Sequence, residues 1–262
     1  MALIGASFAE WLRGKVSASS SPLSVSIGHD SRVSAPQMKA AVAHGLCAAG
    51  ATVTDFGLAS TPAMFMSTIT EGHRYDGAIM LTASHLPFNR NGLKFFTAAG
   101  GLESKDIAEI LSGASRREAE SPIPADVAVS IAQVDFMSVY AGQLVSAIRT
   151  ATSLEQPLSG FKIIVDAGNG AGGFFVGKVL VPLGADTTGS QFLEPDGLFP
   201  NHVPNPEAKE AMEAARTATL AAKADLGIVF DTDVDRAAVV DPQGNEINRD
   251  RLIALLAGAH LI

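Results

Sequence analysis

Short apolar runs alternate with helical stretches from Leu23 onward, and several of these runs stop at a polar or glycine-rich loop. In the first half Leu23–Ile27, Ala51–Phe56, Gly77–Leu81 and Gly92–Phe96 read as strands. Ser34, with Gln37 three residues on, reads as a capping box opening a helix that presents Met38, Ala41, Val42 and Leu46 before Gly50. Thr61-Pro62 starts another helix, since proline suits a first turn. In the second half Phe161–Val165 and Leu226–Phe230 read as buried strands, with helices from about Gly172 to Leu183 and over Glu207–Lys223. Ala237–Asp241 and Glu246-Ile247 flank Pro242-Gln243-Gly244-Asn245, a hairpin signal, and Asn248 is placed to cap a last helix. Strand–helix–strand repetition implies a largely parallel sheet covered by helices. Both halves repeat one plan of strand, polar loop and helix. The expected fold class is therefore α/β: two related three-layer α/β domains with mixed, mostly parallel sheets.

The division between them is read from composition. Ser115–Asp126 is charged and then proline-bearing, as in a connection, and Val134–Ile148 reads as a helix with Phe136, Val139, Tyr140 and Leu144 inward. Ala151–Gly160 reads as the linker, so the expected domains are 1–150 and 151–262. A length of 262 residues fits that division, because domains usually run ~100–200 residues. With 47% apolar and 18% charged residues, disorder is excluded. No apolar run approaches the ~20 residues that span a bilayer. One cysteine, Cys47, excludes a disulfide framework and a cysteine-built zinc site. A net charge of −8 argues against duplex nucleic acid, although a small anion needs only a few local cations. Near the N-terminus Phe8, Trp11 and Leu12 lie at helical spacing, so a docking helix is preferred over a transit peptide, followed by a serine loop at Ser17-Ala18-Ser19-Ser20-Ser21. The expected compartment is the cytosol, or a plastid if a targeting segment precedes Met1.

The strongest local signal for chemistry is Asp231-Thr232-Asp233-Val234-Asp235-Arg236, directly after an apolar strand. In an extended loop, carboxylates at i, i+2 and i+4 share a side and converge on one hard cation. A plain solvated turn would gain nothing from three mutually repelling carboxylates. Arg236 would stand beside the metal as a phosphate partner. A second signal is Thr82-Ala83-Ser84-His85-Leu86-Pro87, again beyond a strand, where ligands bind in open α/β sheets. Asn89, Arg90, Asn91, Gly92 and Lys94 follow and are suited to a phosphate. Taken alone, Ser84 reads more readily as an ordinary loop serine, because so short a match is weak. The third signal is Gly28-His29-Asp30-Ser31-Arg32: either Arg32 and His29 face the same crevice as Ser84, or Asp30 and Arg32 merely brace their loop.

Two patterns mislead. Gly168, Gly170 and Gly173 spell the dinucleotide fingerprint, but no acidic residue closes a second strand at the right distance. These glycines are better explained by close helix–strand packing. A strand followed by D-x-D also opens the haloacid-dehalogenase site, yet too few residues follow Arg236 here to complete it.

Together, the loops resemble those of the α-D-phosphohexomutases, the phosphoglucomutase and phosphomannomutase family. The matching stretches are Gly28–Arg32, Thr82–His85 through Gly92-Leu93-Lys94, Asp166–Gly172, Pro195–His202 and Asp231–Arg236, in order. The resemblance implies an Mg-dependent enzyme that moves phosphate between C1 and C6 of a hexose phosphate through a phosphoserine and a bisphosphate intermediate, with a hexose bisphosphate as primer. It implies that Ser84 is the phosphoserine and that Asp231, Asp233 and Asp235 hold Mg²⁺ against it. It further implies that Arg236, Arg32, His85 and Lys94 line the site, Lys94 as a proton-transfer residue. The implied partner is a hexose phosphate, with no nucleic acid and no membrane.

Three residues depart from the family pattern. Leu86 stands where asparagine is usual, and Thr232 and Val234 stand where many members have glycine. A β-branched residue is unfavourable if either position needs positive φ. The resemblance covers only the first two of the family's four domains and begins after the usual opening strand, so a partial chain is expected. A non-catalytic sugar-phosphate-binding or regulatory module that keeps the fold is the alternative.

Overall fold

The computed structural model describes residues 1–16, 22–120 and 123–260. The serine loop expected at Ser17–Ser21 lies outside the described residues. Two compact units are present: Met1–Ala83 with Asn89–Met137, and Ser84–Phe88 with Ser138–Ile262. Apart from the short segment Ser84–Phe88, the chain passes from the first unit to the second at 137/138. The helix Phe136–Thr152 runs on to the second side, where Ala141 and Val145 pack with Val179 and Leu183.

The first unit holds α1 (Ala2–Arg13), β1 (Ser24–His29), α2 (Ala35–Ala48), β2 (Thr52–Leu58), α3 (Thr61–Met66), β3 (Gly77–Leu81), β4 (Leu93–Thr97), β5 (Gly100–Gly101), α4 (Ser104–Glu120) and β6 (Ile131–Gln133). Among the described residues its six strands lie in the order β5-β4-β3-β1-β2-β6, with β3, β1, β2 and β6 parallel and β4 and β5 antiparallel. Alternation along β1 sets the layers. Val25 and Ile27 join Phe8, Leu12, Val42 and Leu46 from α1 and α2 in the core. On the opposite face the Ser26 hydroxyl meets that of Ser67 at 3.0 Å, and Gly28 lies against the Met64 sulfur of α3. The unit is thus three-layered.

Phe8 and Leu12 are fully buried, so α1 belongs to the core rather than docking on a finished surface. It approaches α2 at glycine. A Cβ on Gly45 would lie 1.8 Å from the Ala2 carbonyl oxygen, and one on Gly5 would lie 2.6 Å from that of Val42. In an unpacked helix Gly→Ala gains ~1 kcal/mol. Here Gly45→Ala must drive two helix backbones apart, and a net loss of ~2 kcal/mol is expected in urea denaturation.

Two expectations for this unit are corrected. Ser34 makes no capping bond; its hydroxyl donates instead to the Asn91 side-chain oxygen, and Pro36 occupies the first turn of α2. The charged stretch from Ser115 is the last part of α4, not the start of a connection. That helix buries only Ile110, Gly113 and Ala114, too narrow a stripe to stand out among its charges.

The second unit holds most of α5 (Phe136–Thr152), β7 (Ile163–Asp166), α6 (Lys209–Ala222), β8 (Leu226–Phe230), β9 (Ala237–Val240) and α7 (Arg249–His260). β7 and β8 run parallel, and β9 is antiparallel to β8. Val229 packs with Ala211 and Ala215 of α6, whereas Phe230 packs with Leu180 and Phe175 on the other side. This unit too is a helix–sheet–helix sandwich. The helix expected from Gly172 to Leu183 is shorter, running from 174 into a π-helical turn, Val176–Leu180, with turns on either side. Phe161 is 52% exposed and precedes β7 rather than joining it. Asn248 caps α7 as expected, its side-chain oxygen accepting from the Arg251 N–H at 3.1 Å. Among the described residues no helix is long and apolar enough to cross a membrane.

Candidate active site

The site grows from β8. Its apolar residues are covered on both faces, and at its carboxyl end the chain turns through Asp231–Arg236. The segment is a turn, not the extended loop expected. Val234 donates its N–H to the Asp231 carbonyl at 3.3 Å and adopts φ +62°, while Asp231 N–H and Arg236 carbonyl close the turn at 3.1 Å. A β-branched residue in the left-handed region is strained by ~1–2 kcal/mol. The departure from glycine therefore falls on a position that does require positive φ at Val234. Thr232 has no such requirement, since it is absent from the positive-φ residues.

The turn gathers the carboxylates. One oxygen each of Asp231, Asp233 and Asp235 lies within 4.8 Å of the others, with Asp231 and Asp233 fully buried and Asp235 exposed. One Asp231 oxygen accepts the N–H groups of Asp235 and Arg236, both at 3.0 Å. The other accepts Arg236 Nε at 3.2 Å, an Arg236 terminal nitrogen at 3.1 Å and the Ser84 hydroxyl at 3.1 Å. Arg236 also donates to the Ser84 oxygen at 3.1 Å. Burial, then the charges of Asp233 and Asp235, push the Asp231 carboxyl up to about 7 despite the opposing bonds from Arg236. A cation bound among the three carboxylates would favour their ionised forms. Three hard oxygen donors on one turn suit Mg²⁺, which binds through a few carboxylates and keeps positions for other oxygens.

Ser84 itself has φ +51°. Of its neighbours, His85 has a buried Nδ1 with no hydrogen-bond partner among the described residues, and Leu86 is 45% exposed. The structure thus brings Ser84, Asp231, Asp233, Asp235 and Arg236 into one cluster, with His85 next to it in sequence.

Arg32 and Lys94 lie in the first unit. Arg32 is buried, holding the Asp30 carboxylate through Nε at 3.1 Å and the Arg90 carbonyl at 3.1 Å. The bracing reading describes these contacts. The Asp30 N–H bonds the Leu81 carbonyl at 3.1 Å, so this loop and the one after Leu81 leave adjacent parallel strands at the same end. Lys94 stands opposite Met80 on β4, one residue from the start of that strand.

The glycine-rich loop after β7 supports the acidic turn. A Cβ on Gly170 would lie 2.7 Å from the Thr232 carbonyl oxygen, which accepts the Ala171 N–H at 2.8 Å. A Cβ on Gly173 would lie 2.2 Å from the Leu193 carbonyl. Close approach explains these glycines, as expected, though it is loop against loop as much as helix against strand. Behind them Asp166 and His202 form a buried pair that no sequence pattern signals, since 36 residues separate them.

Comparison with known proteins follows the same outline. The family pattern described as phosphoglucomutase/phosphomannomutase, alpha/beta/alpha domain I matches residues 1–121, and that of domain II matches residues 139–244. The chain is 33% identical over 233 residues to a phosphoglucomutase of Neisseria gonorrhoeae, covering 89% of this chain and 48% of that protein. It is 33% identical over 247 residues to a phosphoglucosamine mutase of Salmonella newport, covering 94% and 53%. A phosphoglucomutase/phosphomannomutase family protein from Burkholderia thailandensis superposes with a TM-score of 0.81 at 29% identity, covering 98% of this chain and 53% of that one. The chain spans about half the length of the curated relatives it matches.

Proposed function

The chain belongs to the phosphoglucomutase/phosphomannomutase family, and we propose that it is the phosphoserine- and metal-bearing part of an enzyme that moves a phosphoryl group between C1 and C6 of a hexose phosphate. The observation that carries this reading is the cluster in which the Ser84 hydroxyl bonds to both Asp231 and Arg236. Asp231, Asp233 and Asp235 would hold Mg²⁺, which supplies charge neutralisation for the transferring phosphoryl group.

Phosphoryl transfer depends chiefly on positioning and charge. Phosphorylated Ser84 gives its phosphoryl group to a free hydroxyl of the hexose monophosphate. The hydroxyl proton leaves to a base, for which Lys94 is the assigned residue, and an equivalent proton is returned to the Ser84 oxygen, which recovers its hydroxyl while the base is restored. The resulting bisphosphate turns over in the site. Ser84 then takes the other phosphoryl group and releases the isomeric monophosphate. Arg236, already donating to the Ser84 oxygen, is placed to share the charge on that oxygen. Arg32 and His85 are the further residues proposed to bind phosphate. A hexose bisphosphate primes the first cycle. The partner is a hexose phosphate, nucleic acid being disfavoured by the net charge of −8, and the proposed compartment is the cytosol.

Incubation with glucose 1,6-bisphosphate and Mg²⁺ tests the reading. Phosphate is expected on Ser84 by peptide mass mapping. Bisphosphate binding without labelling would support a non-catalytic sugar-phosphate module instead, the reading favoured by Leu86 and by the strained Val234.

The raised Asp231 carboxyl also sets a pH dependence. A proton on Asp231 competes with the cation, so Mg²⁺ affinity is expected to fall by up to about tenfold for each pH unit below about 7 and to level off above it. Calorimetric titrations between pH 5.5 and 8 (a range of about 2.5 units around that value) would show the break; a flat profile would place the cation elsewhere.

A further inference from the structure

His202 is buried, and its two ring nitrogens meet different partners. Nδ1 lies 3.0 Å from the Val203 carbonyl oxygen, which can only accept, so Nδ1 carries a hydrogen. Nε2 faces both Asp166 oxygens, at 3.0 and 3.1 Å. Those oxygens also accept the Gly168 N–H at 2.9 Å and the Gln191 side-chain amide at 2.8 Å. In each of these bonds the Asp166 carboxylate is the acceptor. A bare Nε2 lone pair against it would be repulsive, so the ring carries both protons. Burial opposes a charged ring, but the hydrogen bond and charge of Asp166 outweigh it and hold the His202 pKa above its ordinary value. Asp166 is the charged group facing the ring among the described contacts; Phe192 meets it edge-on at 5.5 Å and Val203 through its carbonyl.

Asp166 leads to the acidic turn. Its bond to Gly168 fixes the start of the glycine loop, and Gly170 and Ala171 in that loop press on and donate to the Thr232 carbonyl. Thr232 is the residue between Asp231 and Asp233.

We propose that His202, as an imidazolium held on Asp166, is a positioning residue: it fixes the glycine loop that clamps the Thr232 peptide and thereby sets the spacing of Asp231 and Asp233 for the cation. The inference rests on the metal-binding reading of that turn. Removing a group that orients a metal site from behind typically costs 10–100-fold in affinity. His202→Gln is accordingly expected to bind Mg²⁺ about tenfold more weakly in calorimetry while keeping a cooperative thermal transition.

The decisive measurement uses the unaltered chain. The protonation of His202 is followed by nitrogen NMR across pH, with and without saturating Mg²⁺. Coupling is reciprocal, so Mg²⁺ is expected to tighten proton binding at His202 by about tenfold. Simple proximity of a dication would weaken it instead. A ring that is neutral at neutral pH, or a titration that Mg²⁺ leaves unchanged or lowers, overturns the inference. So does a folded His202→Gln variant with the original Mg²⁺ affinity, and in these cases the metal site itself stands. If the unaltered chain binds no Mg²⁺, the metal-binding reading fails and this inference with it. If His202→Gln does not fold, the titration of the unaltered chain decides.

Discussion

Asp231→Asn is expected to weaken Mg²⁺ binding at least ~100-fold and, in metal-free solution above pH about 7, to make the protein more stable. The two effects have one cause. Burial and the neighbouring charges of Asp233 and Asp235 raise the Asp231 carboxyl to about 7, so its ionised form is unfavourable when no cation is bound. The sign follows from linkage. A folded-state pKa raised above the unfolded one gives stability that is full below the ordinary carboxylate range and is lost as pH climbs through about 7. The shift from 3.8 to about 7 corresponds to about 4 kcal/mol. Asparagine loses ~1–2 kcal/mol of this, because its amide nitrogen faces the Arg236 guanidinium where an oxygen accepted two bonds. A net gain on the order of 2 kcal/mol is expected at pH 8, with little or none at pH 4. Denaturant unfolding at the two pH values, with a chelator present, measures it. Equal destabilisation at both would mean that Asp231 is a structural anchor for the turn and not a carboxylate strained by its neighbours.

How much of this was legible beforehand depended on the range of the interaction. The acidic turn stood out because three carboxylates within five residues of a strand end have few other uses, and no distant partner is needed to see it. Its shape was not legible. Propensity argues against a valine at φ +62°, and only the tertiary clamp on Thr232 from the glycine loop explains why the chain accepts the strain. The Ser34 capping box was a sound local inference defeated by Asn91, which competes for the same hydroxyl from 57 residues away. α4 was hidden for a different reason. Its buried side is Ile110, Gly113 and Ala114, so the periodic apolar signal is confined to one large residue. His202 and Asp166 sat in stretches that resembled the family, but nothing in either stretch pairs one with the other. The candidate loops are legible from local pattern, and the bonds that fix their geometry are not.

Ser84→Ala is expected to abolish phosphoryl uptake from glucose 1,6-bisphosphate, a fall of at least ~1,000-fold in labelling rate, because no other hydroxyl takes the place of a positioned nucleophile. The geometry makes the case for Ser84 over the other serines and threonines nearby. Its oxygen receives a hydrogen bond from Arg236 at 3.1 Å, and its proton is directed to Asp231 at 3.1 Å. Thr82, two residues earlier, is buried, and Thr232 is buried beneath the turn. Both lack the exposure that a sugar bisphosphate requires. Fold damage is a weak rival explanation for loss of labelling. Ser84 is half-buried at a loop, and alanine removes one hydroxyl whose bonds are worth ~1 kcal/mol each. Alanine at φ +51° is strained no more than serine is. Ser84→Ala should therefore melt close to the unaltered protein and bind Mg²⁺ through the remaining carboxylates. Radiolabel retained in the variant, or mapped in the unaltered chain to any other residue, would refute the assignment. Labelling of Ser84 that persists in a chelator would instead detach the phosphoryl step from the three carboxylates, leaving Arg236, which donates to the Ser84 oxygen, to neutralise the charge.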